Sequence, residues 1–560
     1  MNRRWRSWRL EMAAVVCCAI CTPCCAKQSA NAATTSEGGA FRVAGIVVNS
    51  KTGELLAQAR ILLVSTKDAR DAVSMVTQED GRFAFSGLSS GKYSLQGARR
   101  GYLPAAYEQH EQYSTAIVTG AGFDTQNLTL RLVPMAAITG TVIDENGEGV
   151  RQAQVRLYGE SHRGGTTRVI FLRSEMTDDQ GTFEFVPIGP GKYYASASAT
   201  PWYAMRFPTS AAMNSGNASA NADRSLDAVY PTTFYGGATD SDGAEPIEVK
   251  AADHAQIEIH LSPVPGLHLV LNVGGDAQHG YRIPEFQTRM FGTLEGQFAG
   301  IQSWQSSSSP GVVELAGLAP GHYSMRMAEN GSGELTQEAE VELKQNGQNL
   351  SEWQGEALGS VKLRVKMPKG ETLPKQTTIG LQDQRNRTMA YSRVDQNGEA
   401  KSQGLSAGKY GIRVFATGAA YAVTKMTSAE TQVSAPQFSL KAGESQEWTV
   451  ELAAAKTTIE GFVKRGGKAA SGVMVVLIPS DPETHQDLFR RDQSDLDGSF
   501  VLRGVIPGSY SVVAIEDAWG FDWSQPTLLA RYAQHGQAVT IGELMQGTVS
   551  LLDPVEVQAR

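Results

Sequence analysis

One punctuated phrase returns five times in this chain at a fixed spacing: Gly, strand positions at +2 and +4, an aliphatic at +7, Gly at +10 and Tyr at +12. The copies are Gly81-Phe83-Phe85-Leu88-Gly91-Tyr93, Gly181-Phe183-Phe185-Ile188-Gly191-Tyr193, Gly311-Val313-Leu315-Leu318-Gly321-Tyr323, Gly398-Ala400-Ser402-Leu405-Gly408-Tyr410 and Gly498-Phe500-Leu502-Val505-Gly508-Tyr510. A phrase that keeps its register over five copies marks a repeated folding unit, so the chain is built as an array and not around one large core. The 560 residues allow roughly 100 for each copy, the size of one small domain.

Each copy reads as two strands. In the first, Phe83 and Phe85 alternate with Arg82 and Ala84, the two-residue period of a half-buried strand. Leu88 to Gly91 turns the chain, and Tyr93, Leu95 and Gly97 then share a face. The fourth copy has only Ala400 and Ser402 at its strand positions and buries less area there. Upstream, Gly45-Ile46-Val47, Gly140-Thr141-Val142 and Gly461-Phe462-Val463 open three units as first strands. The third and fourth open less regularly, near Leu267 and Val361.

Short strands, frequent turn signals and almost no helical period predict an all-β chain: about five small antiparallel β-sandwich modules in tandem, with helix only as isolated turns. The expected limits are 41–133, 134–262 (with a long loop insertion), 263–352, 353–455 and 456–560. The links are short and marked by Pro134, Pro263 and Pro265, which predicts touching neighbours and a semi-rigid rod.

Residues 1–32 read as a signal peptide. Arg3, Arg4, Arg6 and Arg9 form a basic start, Met12 to Ile20 an apolar stretch and Ala30-Asn31-Ala32 a small-residue cleavage site. The expected address is therefore outside the cytoplasm: periplasm, cell surface or secreted. All five cysteines (Cys17, Cys18, Cys21, Cys24 and Cys25) fall in this segment, so the mature chain has no disulfide. Losing five basic groups and one acid with the leader moves the net charge from −8 to −12. An acidic chain without a long basic run argues against nucleic acid as a partner. No later apolar run is long enough for a transmembrane span in the mature chain.

The Gly-x-Val first strand, the Asp-rich turn before Gly-x-Phe-x-Phe and the Gly-x-Tyr turn together resemble the carboxypeptidase regulatory-like domain, a β-sandwich of the transthyretin (prealbumin) type. Modules one, two and five carry all three features; three and four keep mainly the Gly-x-Tyr end. The whole layout is similar to large tandem-repeat proteins exported by acidobacteria and related soil bacteria. The resemblance implies a carbohydrate-binding-like sandwich, and hence glycan contact. A fibronectin type III array is the structural competitor, although it does not require the Gly81-x-Phe83 pattern or the Gly-x-Val opening.

No reaction is legible. A zinc carboxypeptidase needs His-x-x-Glu with a distant His, and none of the nine histidines is followed by that glutamate. Gly87-Leu-Ser89-Ser-Gly91 and Gly404-Leu-Ser406-Ala-Gly408 match a nucleophile elbow, but sister copies place Ala319 and Ile506 at the serine position, which makes it a turn residue. Asp178-Asp179-Gln-Gly181, Asp395-Gln-Asn-Gly398 and Asp495-Leu-Asp497-Gly498 look like fragments of calcium loops yet have too few oxygens; Asp and Asn before Gly suit a tight turn. His260 is expected to point outward beside Glu258. No metal, cofactor or catalytic residue is expected, and the chain reads as a non-enzyme.

The aromatic loops after the Gly-x-Tyr strands are the candidate binding elements: Tyr102 and Tyr107 in module one, Trp202, Tyr203 and Phe207 in module two with Tyr230, Phe234 and Tyr235 in its second loop, and Trp519, Phe521 and Trp523 in module five. Flat rings stack on sugar faces or anchor protein contacts; equally, they can seal the joints between modules. The site expectation is Trp202, Tyr203, Tyr235, Trp519 and Trp523, with a glycan or an envelope protein as partner. Three functions stay open: a non-enzymatic binding or scaffold protein of the cell envelope, a carbohydrate-binding protein, or an enzyme with its site in the divergent middle modules.

Overall fold

Each of the five phrases closes on itself by one bond. The tyrosine hydroxyl donates to the carbonyl four residues upstream: Tyr93 to Ser89 (3.1 Å), Tyr193 to Gly189 (2.8 Å), Tyr323 to Ala319 (2.8 Å), Tyr410 to Ser406 (2.6 Å) and Tyr510 to Ile506 (3.0 Å). All five rings are buried, so the phenol needs this partner, and the fixed Gly-to-Tyr spacing supplies it. The glycine before four of the five turns has its own reason. Gly87, Gly317, Gly404 and Gly504 have φ between 67° and 91°, where side chains are strained. They sit in a bulge: Phe41 faces Leu88, but two residues on, Val43 faces Phe85. The same slip occurs in the other four copies. The serine motifs are therefore bulge-and-turn geometry within a sheet.

The computed structural model describes residues 39–205, 224–272, 285–296, 302–305, 312–328, 335–345, 348–349, 355–367, 371–383, 388–417, 420–429, 432–433, 435–543 and 545–560. The leader 1–32 and Phe207 lie outside them.

The five copies share one topology, the divergent third and fourth included. An opening strand (Phe41–Asn49, Ala136–Ile143, Leu267–Asn272, Gly359–Lys366 or Thr457–Arg465) pairs antiparallel with the phrase strand and parallel with the closing strand of its module. In a second layer, a strand such as Arg60–Ser65 or Met474–Pro479 lies between the tyrosine strand and an edge strand. The sandwiches are thus mainly antiparallel; module five has two extra parallel pairs through Val555–Gln558, and every module has one parallel pair of opening and closing strands. That pair joins the first and last strands of a module, because parallel neighbours cannot be connected by a tight turn. Each module has its own apolar core, with Phe83 and Phe85, Phe183 and Phe185, Leu315, Leu363 and Phe500 among the buried residues.

The fifth module is covered on a second face. Every residue of Met474–Pro479 is buried, and the single α-helix among the described residues, Pro526–Ala533, lays Leu529 and Tyr532 over Met474, Val476 and Val513. Pro526 stands at the first helical position, where the N–H it lacks would have no partner within the helix.

Consecutive modules touch. Lys51 reaches the Ala251 carbonyl (2.8 Å) between one and two. Tyr158, Phe234, Met290 and Phe291 cluster between two and three. Ser406 bonds Glu338 between three and four, and Gln437 Nε2 donates to the Thr484 carbonyl (3.2 Å) between four and five. The array does not run out as a rod. Module five returns to the front of the chain: Lys92 of module one pairs with Asp495 (2.6 Å), and Thr167 of module two bonds Asp522 (2.8 Å). The five modules form a closed circuit.

Candidate functional site

The most elaborate side-chain cluster lies where the circuit closes. Its floor is the strand Arg490–Gln493, the edge of the second layer of module five. Arg491, with only 3% of its side chain exposed, donates from Nη2 to Glu111 Oε2 (2.6 Å) in a loop of module one. Its guanidinium lies 4.3 Å from the Trp523 ring centre, 5.2 Å from Tyr113 and 5.7 Å from Trp519. A cation among three rings and one carboxylate is favourable because the rings present their negative faces in a place where water is scarce. Trp519 in turn stacks on His110 of module one (4.8 Å, 6° between planes) and donates from Nε1 to the Gly472 carbonyl (3.3 Å).

A second cluster of polar contacts extends this joint. Gln493 Nε2 donates to the Glu108 carbonyl (2.6 Å) and to Thr115 Oγ1 (2.9 Å). Asp495 accepts Lys92 Nζ and the Ala116 amide (2.8 Å), while the Leu496 amide donates to the Ala116 carbonyl (3.1 Å). The Leu496 side chain packs on the core of module one. Burial holds the Asp492 and Asp495 carboxyls above the usual carboxylate range, even with Lys92 opposing it at Asp495. The joint is also incompletely satisfied. Arg491 Nε, Trp523 Nε1 and Glu111 Oε1 are buried without a hydrogen-bond partner, each costing about 1–3 kcal/mol.

The candidates of module two are placed differently. Trp202 is 85% exposed and meets Tyr203 edge-on at 5.7 Å. Tyr203 and Tyr230 donate to the two oxygens of Glu145 (2.6 and 2.8 Å), which pins the loop that carries Trp202. Burial and the Glu145 charge push the Tyr203 phenol up to about 12. Burial opposes ionisation of Glu145, but the two hydroxyls hold it below its usual value. Tyr235 is half-buried against the module core. The five expected residues thus fall in two places: Trp202, Tyr203 and Tyr235 on module two, and Trp519 and Trp523 at the closure. No contact between the two groups occurs among the described residues.

Residues that sequence reasoning missed at the closure are His110, Glu111, Tyr113, Arg491, Asp495 and Leu496. One signal existed. The turn Asp495-Leu496-Asp497-Gly498 carries a leucine where sister turns carry Asp179 and Gln396.

Another buried polar group was not foreseen either. His268 opens module three and sits between Asp227 and Glu314, at hydrogen-bond distance from Asp227 and 2.7 Å from Glu314. Burial disfavours its charge, but the two carboxylates outweigh burial and raise its pKa to about 9. Among the described residues no group of three His, Cys, Asp or Glu is placed to hold a metal ion. His260 lies on the surface, 2.6 Å from Glu258. No helix among the described residues is long and apolar enough to cross a membrane.

Two family models match parts of the chain. Residues 42–132 match the family model of the carboxypeptidase regulatory-like domain, and residues 455–535 match that of the second β-sandwich domain of BOS complex subunit NOMO1-like proteins. No curated protein matches. Among solved structures, the Bacillus anthracis TIE protein is similar at 14% identity, over 74% of each chain, with a TM-score of 0.18. A streptococcal ancillary pilin is similar at 14% identity, over 51% of this chain and 98% of its own, with a TM-score of 0.19. The minor pilin GBS52 of Streptococcus agalactiae is similar at 9% identity, over 40% of this chain and 96% of its own, with a TM-score of 0.21. The chain therefore carries a carboxypeptidase regulatory-like domain at 42–132 within a tandem arrangement of β-sandwiches.

Proposed function

We propose that this chain is a non-enzymatic scaffold and binding protein of the bacterial cell envelope, exported by its first 32 residues. In this reading, the aromatic loop of the last module locks five sandwiches into fixed relative positions. The observation that carries it is Arg491, held between Glu111 of module one and the rings of Tyr113, Trp519 and Trp523. A buried charge with partners on two modules 380 residues apart fixes geometry more than it adds stability. Small-angle scattering tests this directly. Arg491→Ala should raise the radius of gyration while the circular dichroism of the sandwiches stays the same; an unchanged scattering profile would refute the lock.

The second reading is glycan binding, and its specific support is the exposure of Trp202 on a loop pinned through Glu145. A rigid, protruding ring can stack on a sugar face at little entropic cost. A glycan array with the wild type beside Trp202→Ala decides it. Binding that is lost in the variant supports this reading; no binding, or binding equal in both proteins, counts against it.

A further inference from the structure

We infer that the joint between modules one and five also forms between two copies of this chain, so that the surface around Glu111 and Lys92 is an assembly surface whose partner is module five of a second copy. This rests on the scaffold reading above and extends it from one chain to two.

Three observations carry the inference. Both halves of the joint belong to modules with cores of their own, so separating them leaves folded modules behind. Its contacts are those of a docking surface more than of a shared core: two ion pairs, Arg491–Glu111 and Lys92–Asp495, ring stacking on His110, and a single apolar plug, Leu496. Its buried unpartnered atoms, Arg491 Nε, Trp523 Nε1 and Glu111 Oε1, make the closed state less favourable than its contact list suggests. A joint of this kind can open without loss of fold.

When it opens, one chain presents both complementary faces at once. Two open chains can then exchange fifth modules reciprocally, which satisfies every face and closes with two-fold symmetry. The covalent tether favours closure within one chain by an effective concentration on the order of millimolar. Exchange is therefore expected where chains are crowded, or where the joint within a chain is made unfavourable.

Charge reversal across the joint makes that condition testable with the full chain. Glu111→Arg places two cations together, and Arg491→Glu places two anions together, so either variant alone should be an expanded monomer. Co-expressed in one cell with different tags, the two should form a mixed dimer. There the arginine introduced at 111 meets the glutamate introduced at 491, while Arg491 of the first chain meets Glu111 of the second. Light scattering should give about twice the monomer mass for the co-purified material, and the double variant on one chain should return to a compact monomer.

If burial of the introduced charge impairs folding, as circular dichroism would show, Lys92→Asp and Asp495→Lys give the same design at the second ion pair. Expanded single variants whose mixture stays at monomer mass for both pairs would overturn the inference and leave the scaffold reading intact. Single variants as compact as wild type would remove the scaffold reading first.

Discussion

The turn Asp495–Gly498 and its counterparts Asp178–Gly181 and Asp395–Gly398 share a backbone but not a destination. In all three, the first Asp amide donates to the carbonyl four residues on, and the Gly amide donates back to the first Asp carbonyl. In modules two and four the Asp side chain stays local. Asp178 Oδ1 accepts the Gln180 and Thr182 amides, and Asp395 Oδ1 accepts those of Asn397 and Glu399. In module five, Asp497 accepts the local Ser499 amide, which frees Asp495 to accept Lys92 and Ala116 of module one. Their electrostatics diverge accordingly. Thr182 holds the exposed Asp178 carboxyl below its ordinary value, whereas burial holds Asp495 above it. A turn is converted into a docking element by a second Asp to take over the cap and one leucine to enter the neighbouring core.

The largest break in this comparison should come from Arg491→Ala, which strands Glu111 in the joint and should cost about 3–5 kcal/mol in urea unfolding followed by Trp fluorescence. Leu496→Asp, which gives module five the residue its sister turn has at Asp179, should cost about 2 kcal/mol by placing a charge against the core of module one. The reciprocal Asp179→Leu on the exposed turn should stay within about 0.5 kcal/mol. If both changes cost the same, the turns do not differ in role. Asp495→Asn should change stability by less than about 1 kcal/mol, since weakening the charged hydrogen bonds and relieving a buried charge oppose each other.

The joint between modules two and three offers a pH contrast. His268 has a pKa raised from 6.5 to about 9 by Asp227 and Glu314, which outweigh the opposing effect of burial. Its contribution is fully present below 6.5 and is lost as pH rises through about 9. Asp495 has the opposite order for a carboxylate. Raised from 3.8, it favours the closed joint more as pH falls from neutral toward that value. Thermal unfolding should therefore weaken between pH 7 and 9.5 in the wild type and much less in His268→Gln, while scattering at pH 5 should show the circuit still closed. An alkaline loss that persists in His268→Gln would assign it elsewhere.

The repeat made the modules legible, since Gly-x-Phe-x-Phe and Gly-x-Tyr are local patterns whose geometry is met within 12 residues. Even the divergent fourth copy keeps the Tyr410-to-Ser406 bond, because that bond depends on spacing and not on the lost aromatics. The closure was not legible. Arg491 and Glu111 look like ordinary charged residues in their own segments, and a contact across 380 positions leaves no period in the sequence. Trp519 and Trp523 stood out by residue type alone, which shows that a ring matters but not what it faces. The buried run Met474–Pro479 was a quieter clue, since a strand apolar at every position calls for cover on both sides.

The tyrosines that close the five phrases have an optical consequence. Burial raises the phenol pKa of Tyr93, Tyr193 and Tyr323, and carries Tyr410 and Tyr510 to about 12. One such phenol lies in each sandwich, so none should ionise in step with surface tyrosine while its sandwich is intact. Followed by phenolate absorbance in alkali, the protein carries its own gauge of melting, with at least one silent chromophore per module that reports only when that module comes apart.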